Sequence, residues 1–180
     1  MPVNLIPTMT SATTPSGIMS ASDEYNSDYA AWKAGDKFNE GTELTNMSWH
    51  TNVISFPGPW LQYQLSSSKI VNGYSIQARD WAGTNSPTHW ILQGSADGIL
   101  WDDLDEQTEQ IFSQNELKSY LNIGNTESYL YYRIYCIEGS NGSYACIGEL
   151  ALFELEVNSV TNNIFGLCIL NETENIWSII

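Results

Sequence analysis

His89-Trp90-Ile91-Leu92-Gln93-Gly94, followed at once by Ser95-Ala96-Asp97-Gly98, decides the fold class. The run is short, apolar and aromatic, and it stops at a tetrapeptide whose Ser, Asp and Gly reverse a chain readily. That is a strand ending in a tight turn. The same unit recurs on both sides. Trp60-Leu61-Gln62-Tyr63-Gln64-Leu65 alternates apolar and polar residues, which puts Leu61, Tyr63 and Leu65 on one face of a half-buried strand. Residues 70–79 follow a Ser66-Ser67-Ser68 turn, and residues 129–137 and 147–157 form the last two strong runs, with Asn141-Gly142 between them. A first strand is expected within residues 17–26, and residues 33–52 are polar and loop-like. Ser113-Gln114-Asn115-Glu116 has the spacing of a helix capping box, but Tyr120 and Asn122 in the segment after it do not favour helix. Many short strands at close spacing indicate an all-β sandwich or barrel. Trp60, Trp90 and Trp101 are expected in the core, with the turn at 95–98 bringing Trp101 beside Trp90.

The 180 residues suit one domain, and a hydrophobic content of 42% with 12% aromatics is enough to build its core. Six Lys and Arg stand against 21 Asp and Glu, a net charge of −15. Such a surface repels phosphate backbones, so nucleic acid and anionic membranes are excluded as expected partners. Three cysteines make no disulfide framework. Cys136 and Cys146 either pair across a hairpin or stay as buried thiols. The first residues lack the basic region and apolar core of a secretory signal. No run reaches the ~18 apolar residues of a membrane-spanning helix, and no membrane insertion is expected. Residues 1–16, rich in Pro, Thr and Ser, read as an extended arm, residues 17–156 as the sandwich, and residues 157–180 as an added segment. There, apolar residues 164–170 and 176–180 flank Asn171-Glu172-Thr173-Glu174-Asn175, a pattern expected to form a hairpin that packs on the sandwich or on another chain.

Several phrases, in order, resemble the discoidin or factor V/VIII type C domain family, which includes the bacterial carbohydrate-binding modules of family 32. They are Ala30-Ala31-Trp32-Lys33-Ala34-Gly35-Asp36, Ser48-Trp49-His50, Pro59-Trp60-Leu61-Gln62-Tyr63-Gln64-Leu65, Ile70-Val71-Asn72-Gly73-Tyr74-Ser75-Ile76, the run from Trp90 to Trp101, Tyr132-Arg133-Ile134 and Ile147-Gly148-Glu149-Leu150. The resemblance implies an eight-stranded jelly-roll β-sandwich with its termini close together. It also implies loop and strand, not helix, over residues 113–121.

No nucleophile elbow, phosphate-cradling glycine loop or His-Glu-x-x-His is present in the sequence, and the acidic run Asp102, Asp103, Asp105, Glu106 reads as a solvated face. A non-catalytic binding module is therefore expected. The resemblance implies a structural Ca²⁺ held by Asp36 and Glu149, with Lys33 and Asn39 completing the candidate set. Ca²⁺ takes oxygen ligands only. The sequence departs from the family at Gly35-Asp36-Lys37, where Phe-Asp-Gly is usual, and at Met47, where Thr is usual. The alternative is that Asp36 caps a turn and Glu149 pairs with a lysine. The resemblance also implies a glycan site on loops at one end of the sandwich, drawn from Trp49, His50, Arg79, Asp80, Trp81, Asn141 and Tyr144. Sugar C–H faces stack on rings, and sugar hydroxyls need fixed donors and acceptors. The opening Asn4-Leu5-Ile6-Pro7-Thr8-Met9-Thr10 is similar to phage tail-associated proteins, which implies a virion surface or extracellular location. Residues 157–180 would then contact other virion subunits or a second copy of the chain. The alternatives are a virion structural protein that binds only other subunits, and an intracellular protein-interaction module.

Overall fold

A computed structural model describes residues 3–38, 48–52, 56–79 and 85–154. The order of elements is β1 (Ile18–Ala21), two 3-10 turns (Ser27–Tyr29 and Ala31–Gly35), β2 (Trp49–His50), β3 (Trp60–Lys69), β4 (Val71–Gln77), β5 (Pro87–Ser95), β6 (Asp102–Gln107), β7 (Leu117–Leu121), β8 (Tyr129–Gly139), β9 (Cys146–Ile147) and β10 (Glu149–Glu154). A five-stranded sheet, β1-β3-β8-β5-β6, faces a three-stranded sheet, β10-β4-β7. These are the eight strands expected of the sandwich. The two-residue strands β2 and β9 pair separately at one end. The termini of the sandwich meet: Asn4 bridges Phe153, and the Leu5 amide donates to the Leu152 carbonyl at 2.8 Å.

Strand periodicity builds the core. Leu61, Tyr63 and Leu65 of β3 are buried, as are Trp90 and Leu92 of β5 and Tyr132, Ile134 and Cys136 of β8, while the intervening residues face outward or toward the rim. Ile134 lies opposite both Leu61 and Leu92 across β8's two neighbours, so the three inward faces are in register. From the smaller sheet, Tyr74, Ile76, Leu150 and Leu152 close the core. The polar tips of the large aromatics are satisfied: Trp90 Nε1 donates to the Tyr74 hydroxyl at 3.0 Å, and that hydroxyl donates to Asp105 Oδ2 at 2.6 Å. Gly94 makes room for a ring, because a Cβ there would stand 2.5 Å from Tyr129 Cδ2.

The turn at 95–98 forms as its chemistry predicts. Ser95 Oγ accepts from the Gly98 amide at 2.9 Å, and Asp97 Oδ1 accepts from the amides of Ile99 and Leu100. Trp101 corrects the expectation that it packs beside Trp90. Its neighbour Asp102 is the partner of inward-facing Gly94, so Trp101, one residue earlier, falls on the opposite face. There the Arg133 guanidinium lies 3.9 Å from its ring centroid. Trp60 is likewise only partly buried. The capping-box segment turns into strand: the Ser113 amide does donate to Glu116 Oε2, but Asn115 adopts φ 57 and β7 follows. The opening segment packs on the sandwich, with Ile6 and Met9 buried in the core. Cys136 and Cys146 are buried thiols that form no disulfide with each other, and burial pushes the Cys136 thiol up to about 12. The expected hairpin at 157–180, with Cys168, lies outside the described residues.

Candidate ligand-binding site

Described residues after β1, β2 and β8 and just before β5 meet at one end of the sandwich. The segment after β1 is stitched to β2: the Tyr25 amide donates to the His50 carbonyl at 2.7 Å, and the Asn52 amide donates to Asp23 Oδ2 at 2.6 Å. The loop after β8 is held by the Ala145 amide, which donates to Thr51 Oγ1 at 3.0 Å, and by the Cys146 amide, which donates to the Asn85 carbonyl at 2.8 Å.

His50 is the centre of what these loops assemble. Ring centroids of Tyr144, Tyr29 and Tyr25 lie 5.1, 5.6 and 5.9 Å from its own. The Arg79 guanidinium stands 5.9 Å from the Tyr29 ring. His50 Nδ1 lies 2.6 Å from the Thr51 carbonyl oxygen, which only accepts, so Nδ1 carries the proton. Nε2 therefore accepts, from Asn85 Nδ2 at 3.0 Å. Asn85 Oδ1 in turn accepts from Asn141 Nδ2, and Asn141 Oδ1 accepts from the amides of Ser143 and Tyr144. Burial lowers the His50 pKa, and the Arg79 charge adds to this against the opposing Thr51 hydrogen bond. A neutral imidazole with both nitrogens engaged is held in one orientation.

Several expected residues meet here: His50, Arg79, Asn141 and Tyr144. Trp49 corrects its assignment as a ligand contact. It is fully buried, and its Nε1 donates to the Asp23 carbonyl at 2.9 Å. It backs the site from the core, while the His50 ring, itself buried, packs among the tyrosines of the cluster. Asp80 and Trp81 lie outside the described residues. Sequence reasoning missed Tyr25, Tyr29 and Asn85. The two tyrosines stand four residues apart in an otherwise polar stretch, a signal of exposed aromatics held for use. Tyr25 keeps 52% of its surface exposed.

The expected metal pair also comes together. Asp36 and Glu149 are only 5% and 8% exposed. The Phe38 amide donates to both, at 3.0 Å to Asp36 Oδ1 and 3.1 Å to Glu149 Oε1. Lys33 Nζ lies 3.8 Å from Asp36 Oδ2, and Lys37 Nζ lies 4.0 Å from Glu149 Oε2. Burial pushes the Glu149 carboxyl up to about 8 and raises Asp36 as well. Among the described residues this set falls short of the six to eight oxygens that Ca²⁺ takes. Two ammonium groups, one of them on the Lys33 side chain, and an N–H point at the carboxylates instead. No cluster of three or more His, Cys, Asp or Glu suited to a metal occurs among the described residues. Asn39 lies outside them.

Fold and geometry together define a β-sandwich module with a cluster of aromatic and hydrogen-bonded side chains at one end. The chain belongs to the F5/8 type C domain family, whose sequence profile matches residues 18–150. The solved structures it resembles include CpGH89CBM32-5 from Clostridium perfringens in complex with GalNAc-β-1,3-galactose, with TM-score 0.64, 22% identity and coverage of 76% of this chain and 94% of that one. The family 32 module of C. perfringens NanJ in complex with galactose gives TM-score 0.60 and 22% identity, covering 77% and 93%. Chitosan-binding module 2 of a Paenibacillus sp. chitosanase/glucanase, in complex with chitotriose, gives TM-score 0.64 and 14% identity, covering 83% and 99%. At these identities the likeness establishes the fold. Comparison with curated proteins finds no match.

Proposed function

We propose that the domain is a non-catalytic glycan-binding module whose site is the cluster of Tyr25, Tyr29, His50, Arg79, Asn85, Asn141 and Tyr144. The observation that carries this reading is the ring-lined His50, locked into one tautomer by Thr51 and Asn85 beside an exposed Tyr25. Exposed rings take the C–H face of a sugar, while Arg79 and the two asparagines offer donors and acceptors to its hydroxyls. The complexes of similar modules with galactose and with GalNAc-β-1,3-galactose support it. Asp80 and Trp81 follow Arg79 directly in sequence, and Trp81 is the proposed further stacking platform.

Charge narrows the ligand class. Five of the six cations are engaged away from the cluster: Lys33 with Asp36, Lys37 with Glu149, Lys69 with Glu154, Lys118 with Gln110, and Arg133 with Gln93 and Trp101. Arg79 alone lines the site, in a chain of net charge −15, which favours a neutral glycan over a polyanionic one. The module serves at a virion surface or another extracellular setting, where residues 157–180 join it to other virion subunits or to a second copy. A glycan array followed by calorimetric titration with galactose and GalNAc-β-1,3-galactose tests the binding. Saturable binding that Tyr25→Ala weakens without changing Tm supports the site. A folded protein that binds no glycan on the array refutes the reading.

A further inference from the structure

We infer that Lys37 is a built-in cation in the place where a divalent metal would join the loop after the second 3-10 turn to the start of β10, so that this domain holds its ligand-bearing end together without calcium. Asp36 and Glu149 are 113 positions apart by residue number (149 − 36), yet their buried carboxyls meet at the Phe38 amide, which donates to an oxygen of each. That amide stands where a shared cation would have to bridge the pair. The remaining oxygens face ammonium groups, Asp36 Oδ2 toward Lys33 and Glu149 Oε2 toward Lys37. The two carboxyls also interact with each other, and the Lys37 ammonium stands 4.0 Å from Glu149 Oε2. A divalent ion placed there would meet two like charges at close range in a low-dielectric pocket. Its oxygen shell would have to be built against two N–H-bearing side chains.

The backbone supports the same reading. Lys37 sits at φ 63, in the left-handed region that costs a side-chain-bearing residue energy and a glycine almost nothing. Holding a lysine there makes sense if its side chain does something glycine cannot, and its ammonium is what reaches Glu149. The latch ties Ala31–Gly35 to Glu149. Glu149 follows the Cys146–Ile147 strand that pairs with Trp49 and His50, so the tie braces the floor of the His50 cluster.

The test is thermal melting of the whole chain with added CaCl2 and with EDTA. The wild type is expected to show the same Tm in both. Lys37→Gly relieves the backbone and removes the ammonium, and is expected to acquire a Ca²⁺-dependent rise in Tm. Lys37→Met keeps the side-chain length without its charge, and is expected to melt several degrees below wild type in EDTA. A wild-type Tm that rises with Ca²⁺ or falls with EDTA overturns the inference. So does a Lys37→Met protein as stable as wild type, because the ammonium would then be compensating nothing.

Discussion

Asn85 donates from Nδ2 to His50 Nε2 at 3.0 Å, across 35 positions of sequence, and this bond defines the imidazole as a neutral acceptor. It has a pH signature. The ordinary pKa of the ring is 6.5, and burial lowers it in the folded state. A depressed pKa means the unfolded chain takes up a proton that the folded one refuses. The stability owed to neutral His50 is therefore complete above about pH 6.5. It is lost as pH falls from there through the folded pKa. Melting curves between pH 8 and pH 5, compared with those of His50→Gln, isolate this group from the many carboxylates. The wild type should lose more Tm on acidification than the variant, and glycan affinity should fall over the same range. Equal pH slopes for the two proteins would count against the assigned tautomer.

Trp49 and Tyr25 should separate stability from binding. Trp49→Ala empties a fully buried site and is expected to cost about 3–5 kcal/mol, read by chemical denaturation. Tyr25→Ala removes a half-exposed ring, so it should leave Tm nearly unchanged while weakening glycan binding by ~1–3 kcal/mol. A Tyr25→Ala protein that binds normally would remove this ring from the site.

Gly94→Ala tests the packing of β5 against the ring of Tyr129. The added methyl would stand 2.5 Å from Tyr129 Cδ2, so the ring or the strand must move. A loss of about 1–3 kcal/mol is expected for overpacking of this kind, and Gly94→Ala combined with Tyr129→Leu should recover part of it. Without such recovery, the clash is not what makes glycine necessary there.

Truncation after residue 156 tests the role proposed for residues 157–180. Sedimentation should show a folded domain that no longer self-associates or joins its partner subunits. Failure of the truncated chain to fold would show that the segment completes the domain's own core.

Strand identity was legible in the sequence wherever one face is buried, because alternation is a local property that the chain carries with it. Leu61, Tyr63 and Leu65, the run at Trp90, and the turn at Ser95–Gly98 needed no tertiary information. The family phrases extended this to the whole sandwich and correctly brought Asp36 to Glu149. Four matters were decided only in three dimensions. Trp49 and His50 are adjacent, and nothing local says which faces the core; the pairing of β2 with β9 settles it by burying the indole. Trp101 was placed outward by the register of β6 on Gly94, since one residue of shift exchanges the two faces of a strand. Tyr25, Tyr29 and Asn85 became one site because separate loops fold over the same end, and loops carry no periodicity from which a side chain's direction can be read. At Lys37, finally, the chemistry of the loop was visible as a residue type but its role was not. The distance to Glu149 comes from the packing of β10 against the 3-10 turn, which no local pattern encodes.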